Sequence, residues 1–132
     1  VLFRSVVQEV RQWLDHRVQA VQAAGVQAQR IVLDPGIGFA KTAAHNLQLL
    51  HRQHELQALG FPLLIGWSRK STLGLITGRP APQRQAASVA AALLAAQAGA
   101  SVLRVHDVAA TVDALTVWRA AMLGKPPEQD RQ

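Results

Sequence analysis

Cysteine is missing from all 132 residues. Its absence excludes disulfides and thiolate metal sites, and with them the disulfide-stapled scaffolds of extracellular proteins. A long apolar run is missing too. The richest stretch, residues 86–100, is dominated by alanine and broken by Ser88, Gln97 and Gly99. It is shorter than the roughly 20 residues that cross a bilayer. The start shows no basic segment followed by an apolar core, as a secretory signal would. Walker loops and dinucleotide glycine fingerprints are absent as well. Acids are scarce, with 8 Asp and Glu against 14 Lys and Arg and a formal charge of +6. Such a balance can serve an anionic ligand such as phosphate or nucleic acid. The arginines at 4, 11, 17, 30, 52, 79, 84, 119 and 131 form no cluster and no aromatic interleaving, so they read as a solvated surface. Hydrophobic residues, at 49%, are plentiful enough to bury a core. The expectation is a soluble cytoplasmic protein of one domain or a piece of one, with no membrane and no nucleic-acid partner.

Residues 1–5 fit poorly with the rest of the chain. One codon choice for them, GTGCTCTTCCGATCT, reproduces the end of a widely used sequencing adapter, so they read as an artefact or a frayed start. After them a module repeats: a helix ends at glycine, a short apolar strand comes next, and a polar turn opens the following helix. Helices are expected over residues 6–24 (capped by Ser5), 42–59, 83–98 and 107–123, with a short one after residue 70. In the second, Leu47, Leu50, Leu56 and Leu59 share a face. Strands are expected over 30–34, 61–66 and 101–105. Alternation of this kind implies βαβ units and a parallel sheet. Near-continuous apolar strands imply burial on both faces. Residues 125–132, rich in proline and charge, read as a flexible tail. The helix at 83–98 carries eight alanines and almost no polar face. It must lie under its own chain or against a partner, and a subunit interface is the favoured reading.

Polar groups gather just after each strand, where parallel α/β folds bind ligands. The first set is Asp34-Pro35-Gly36-Ile37-Gly38-Phe39-Ala40-Lys41-Thr42, a turn whose glycines permit backbone shapes closed to other residues. Taken alone it reads as a tight turn in which Asp34 accepts backbone amides. The second is Gly66-Trp67-Ser68-Arg69-Lys70-Ser71. Two cations at a helix start oppose the dipole unless an anion or carbonyl oxygen meets them. The third is Arg104-Val105-His106-Asp107, where strand alternation puts Arg104 and His106 on one face. Arg104 needs a partner there, either a ligand or Asp34 in a buried ion pair. The remaining histidines, at 16, 45, 51 and 54, have no convincing set of metal partners.

In order, spacing and context, these three segments resemble the dihydropteroate synthase family. The likeness runs from about residue 6 to 123. Pterin-dependent methyltransferases share the pterin-binding barrel, but Ser68-Arg69-Lys70-Ser71 and Arg104-Val105-His106-Asp107 resemble the synthases more. A non-enzymatic basic module that binds nucleic acid is the alternative from another class. The resemblance implies the C-terminal part of a (β/α)8 barrel, three strands of eight over residues 6–124. It implies condensation of a dihydropterin-CH2-diphosphate with 4-aminobenzoate and release of diphosphate. By motif, Asp34 would bond the amino-pyrimidine edge of the pterin and Lys70 its carbonyl region. Arg104 would lie on the ring face and, with His106, hold the diphosphate, with Lys70, Arg104 and His106 as the catalytic set. Ser71 would meet the carboxylate of aminobenzoate, Phe39 and Ser68 would line that pocket, and Gly66 belongs to the substrate-binding set. Ala40 stands where the family often has glycine, and Trp67, where smaller residues are frequent, would narrow or stiffen the pterin pocket. The resemblance also implies Mg2+, with its asparagine ligand outside this chain, and a homodimer through the C-terminal helices including 83–98. A barrel of this type takes about 250 residues, so this chain alone is expected to be inactive.

Overall fold

The computed structural model describes residues 5–128. Helix α1 spans Val6–Ala23. Ser5 Oγ accepts the amide of Gln8 at 3.2 Å, and the Ser5 amide donates to the Gln8 side chain at 3.4 Å. The helix thus opens on a complete capping box. The remainder of the expected artefact, residues 1–4, lies outside the described residues; Ser5 itself is the helix cap. Val7, Leu14 and Val18 form the buried stripe of α1, at the spacing a helix requires.

Three chain segments run in parallel, but they pair over shorter stretches than their sequences suggest. Strand β1 is Leu64–Ile65 and strand β2 is Val102–Leu103, with Leu64 opposite Val102 and Ile65 opposite Leu103. The segment expected as a first strand over 30–34 contributes only a bridge from Leu33 to Leu63. Its ladder bonds are Leu33 N–H to the Pro62 carbonyl at 2.9 Å and Leu64 N–H to the Leu33 carbonyl at 2.8 Å. Arg30 instead closes a short 3-10 turn, Ala28–Arg30. The physical reason is visible in the order of the sheet: β1 lies in the middle, and the flanking segments have one neighbour each among the described residues. Ile31 and Leu33 still point into the core, while Val32 between them is 50% exposed. The period of two is kept even where the ladder is lost.

The helix expected over 42–59 is two helices, α2 (Ala43–His51) and α3 (Gln53–Gln57), broken at Arg52, where φ is −112° and ψ 25°. Thr42 caps α2, and the imidazole of His45 completes that capping box. The break turns Gln53 inward, where its Nε2 donates to the Ala95 carbonyl at 3.0 Å. The inward line is Asn46, Leu49, Gln53 and Leu56, all buried. Leu47 of the expected apolar face is exposed, and Leu50 and Leu59 are half-buried. Two of the four inward positions are polar, which is why a hydrophobic pattern could not find them.

Helix α4 (Ser71–Thr77) follows β1, and a 3-10 turn at Ala81–Gln83 leads to α5 (Gln85–Gln97). Helix α6 (Val108–Leu123) ends on Gly124 in a left-handed cap. Helix α5 is covered by its own chain, packing on α4, α6 and the sheet side of the core through Ser88, Ala91, Ala92 and Ala95. Ala86, Ala90 and Leu94 remain exposed along its outer line. No helix among the described residues is long and apolar enough to cross a membrane. Of the tail, residues 125–128 are exposed and the rest lie outside the described residues.

Candidate active site

Because the three segments are parallel, the loops that follow them emerge at one end. The sequence motifs at 34–42, 66–71 and 104–107 occupy those loops, and the fold brings them together.

Asp34 and Arg104, 70 residues apart, form an ion pair with Arg104 Nη1 3.0 Å from Asp34 Oδ2. The side chains are 37% and 52% exposed, so the pair sits at a mouth and is not the buried pair that the sequence left open. The second oxygen of Asp34 accepts the Gly36 amide at 2.9 Å, so the turn reading is also satisfied. Gly66 completes this corner. A Cβ there would stand 2.8 Å from Arg104 Nη2 and 3.1 Å from Nε. The missing side chain is the space in which the guanidinium lies.

Lys70 reaches across from the second loop to the first. Its ammonium donates to the Ile37 carbonyl and stands 5.0 Å from the centroid of the Phe39 ring, an arrangement a cation favours. The stem passes over Gly38, where a Cβ would meet Lys70 Cδ at 3.0 Å. Gly38 has φ of 83°, so both its backbone shape and its lack of a side chain are used. Burial lowers the pKa of Lys70, Arg104 lowers it further, Asp34 opposes them, and Lys41 adds a smaller push down. Lys41 escaped the sequence reading. Its ammonium donates to the carbonyls of Gly36 (2.9 Å) and Phe39 (3.0 Å), closing the turn. Burial lowers its pKa and Asp34 opposes that. Its signal was spacing: a lysine five residues after a glycine turn can return to its carbonyls.

Ser68 and His106 are also joined. Ser68 Oγ accepts the His106 amide at 3.2 Å and lies 2.7 Å from Nδ1 of the same residue. The hydroxyl has one proton and two acceptor sites, so it can serve the amide and the ring nitrogen together. Ser68 is buried and His106 exposed. Between Ser68 and Lys70, Arg69 adopts φ of 58°. Ser88 Oγ accepts its amide at 2.8 Å, Arg84 donates to its carbonyl at 2.9 Å, and its guanidinium meets Asp107 at 3.1 Å. Strain of this kind persists where the surroundings over-determine it, often at functional sites.

Phe39 is 65% exposed at the rim. Ser71, the first residue of α4, is exposed and its side chain caps nothing. Of the two expectations for Trp67, narrowing fails, since the side chain stands in the core. It is 2% exposed and packs in the core with Ile65 and Leu73, because alternation turns it away from Gly66. No group of three His, Asp or Glu among the described residues could hold a metal.

This end of the sheet thus carries a carboxylate, three cations and an imidazole, with a phenyl ring at its rim. It suits a flat, hydrogen-bonding heterocycle carrying negative charge. Residues 3–106 match the family described as pterin binding enzyme, and the chain belongs to that family. Within it, the relatives are dihydropteroate synthases. The enzyme of Neisseria meningitidis serogroup B is 52% identical over 122 residues, covering 89% of this chain and 43% of that relative. The structure of the Xanthomonas albilineans synthase in complex with 7,8-dihydropteroate superposes with a TM-score of 0.89 at 53% identity, covering 92% of this chain and 47% of the other. The same synthase with 4-aminobenzoic acid gives the same TM-score and identity, over 45% of its chain. The chain spans about half the length of the relatives it matches.

Proposed function

We propose that this chain supplies the C-terminal part of a dihydropteroate synthase. The amine of 4-aminobenzoate attacks the methylene carbon of (7,8-dihydropterin-6-yl)methyl diphosphate. A C–N bond forms as the C–O bond to diphosphate breaks, and the amine proton passes to solvent. The products are 7,8-dihydropteroate and diphosphate, so the reaction is an alkyl transfer in folate biosynthesis.

The observation that carries the reading is the meeting of Asp34, Lys70 and Arg104 at one mouth from three separate loops. Asp34 takes the amino-pyrimidine edge of the pterin, shifting its ion pair with Arg104 toward the ligand. Lys70, already donating to a carbonyl of its own chain, exchanges that oxygen for the pterin carbonyl. Arg104, seated on Gly66, lies on the ring face. With His106 it stabilises the charge that develops on the departing diphosphate. Ser71 meets the carboxylate of aminobenzoate, with Phe39 and Ser68 beside that second pocket. Holding both substrates in register supplies much of the remaining rate.

The reading extends to the whole protein. Residues 6–124 form the last three strands of a (β/α)8 barrel, with the earlier strands encoded upstream. Mg2+ is part of the proposal, held by residues outside this chain. So is a homodimer through the C-terminal helices, for which the exposed Ala86, Ala90 and Leu94 of α5 speak. A pathway fed by a phosphorylated pterin places the protein in the cytoplasm.

The test is the full-length protein incubated with both substrates and Mg2+, following diphosphate and dihydropteroate. Stoichiometric formation of both is expected. Pterin binding without any response to 4-aminobenzoate would instead indicate a pterin-dependent methyltransferase, and absence of pterin binding would overturn the reading altogether.

A further inference from the structure

Asn46 is among the most buried residues of the chain, at 2% exposure, and it touches neither the mouth nor solvent. Its side chain nevertheless connects two of the three loops. Oδ1 accepts the amide of Gly38 at 2.9 Å, and Nδ2 donates to Thr72 Oγ1 at 3.0 Å. Thr72 is itself 3% exposed. Gly38 precedes Phe39, and Thr72 lies two residues after Lys70 on the first turn of α4. The Asn46 amide therefore spans the interval between the Phe39 loop and the Lys70 loop from inside. Lys70 closes the same interval from outside, with its ammonium on the Ile37 carbonyl and its stem on Gly38.

We infer that Asn46 and Thr72 are positioning residues that set the separation of Lys70 from the Phe39 loop. This inference rests on the proposed reading of the mouth. Substrate must displace the outer tie, because the Lys70 ammonium has to leave the Ile37 carbonyl to bond a ligand. At that moment Lys41 still closes the turn on itself, and the inner tie still joins that turn to the start of α4. A fixed amide suits this role, since its acceptor and its donor are both used and burial makes an unmade bond costly. Misplacement of about 1 Å at a site that aligns two substrates can cost on the order of 100-fold in rate.

The experiment uses the full-length protein with Thr72→Val, which keeps the shape and removes the acceptor, and Thr72→Ser, which keeps the hydroxyl. Two quantities are read at a temperature where circular dichroism shows the variant folded: kcat/KM for each substrate, and deuterium uptake at the Gly38 amide. Thr72→Val is expected to lower kcat/KM by roughly ten-fold or more and to speed exchange at Gly38. Thr72→Ser should restore both to near the parent values. If the valine variant does not fold, Thr72→Ala replaces it. A valine variant with a lower melting temperature but unchanged kcat/KM and unchanged Gly38 exchange would reduce the pair to a packing role and overturn the inference. Should the parent protein form no dihydropteroate, the functional reading fails, and Gly38 exchange still decides whether the joint exists.

Discussion

Ala40 sits at φ of 50°, in the left-handed region, directly after Phe39. A Cβ in that region costs about 1–2 kcal/mol, and glycine there would offset part of that gain through a looser unfolded chain. Ala40→Gly is therefore expected to stabilise the protein by about 0.5–1 kcal/mol, seen as a higher denaturation midpoint with unchanged slope. The residue that stood out in the sequence as a departure from its family carries a backbone penalty. Gly66 makes the opposite case. A methyl group there would displace the end of a flexible side chain, so Gly66→Ala should leave the melting temperature almost unmoved. The same methyl pushes the Arg104 guanidinium off its seat, and kcat/KM should fall by roughly ten-fold or more. A lowered melting temperature with unchanged kcat/KM would contradict both halves of that expectation.

Lys70 links the residue scale to pH. Burial and Arg104 hold its pKa below the ordinary 10.5, while Asp34 pulls the other way. Arg104→Gln should move its titration up, and Asp34→Asn should move it further down. Heteronuclear NMR of the lysine ε position reads both, and shifts in the same direction would refute the attribution. The sign for function follows. On the proposed reading the charged ammonium bonds a pterin carbonyl, so pterin affinity should fall as pH rises through the lowered pKa. The sign for stability is separate. Between that pKa and 10.5 the unfolded chain holds the proton that the folded chain has released. The contribution of Lys70, and of the similarly lowered Lys41, thus grows more favourable as pH rises across the window.

At the scale of elements, α5 separates two kinds of alanine environment. Ala95 is fully buried between the Gln53 side of α3 and the core, whereas Leu94 beside it is 51% exposed. Ala95→Leu adds three carbons to a filled space and is expected to cost about 1–3 kcal/mol. Leu94→Glu should leave the fold intact and, if the outer line of α5 meets a second subunit, should shift a dimer toward monomer in sedimentation. The sequence legibly placed the cap at Ser5, the glycine stops, and the gathering of Asp34, Lys70, Arg104 and His106 at one end. These follow from local chemistry and from the direction of parallel strands. Asn46, Gln53 and the bridging hydroxyl of Thr72 were not legible. An amide on a helix looks solvent-facing until its partner, 26 or 42 residues away, is known. Strand lengths failed for a related reason, since apolar runs announce burial but pairing depends on which neighbours are present.

For the molecule as a whole, the sheet is the decisive feature. Leu33 pairs only toward β1, and β2 pairs only toward β1, so among the described residues both outer edges are open. Val32 and Val102 on those edges are half exposed. A groove of about 570 Å3 lies beside β2 and α6, lined by Leu103, Val108, Val112, Leu115 and Trp118 among others. Open edges with apolar flanks invite association with other strands. If the chain is the last part of a barrel, these surfaces are the ones the earlier strands cover. Residues 6–124 expressed alone should then self-associate and give no turnover, because the mouth presents only part of the binding surface. Co-expression with the upstream segment as a separate polypeptide should yield a soluble complex, restore dihydropteroate formation, and protect the amides of residues 31–33 and 102–104 from exchange. Coupling of this sort follows from mass action, since a partner that binds only the folded form stabilises it. A monomeric, fully active product from residues 6–124 alone would mean that the edges need no cover and that the half-barrel reading is wrong.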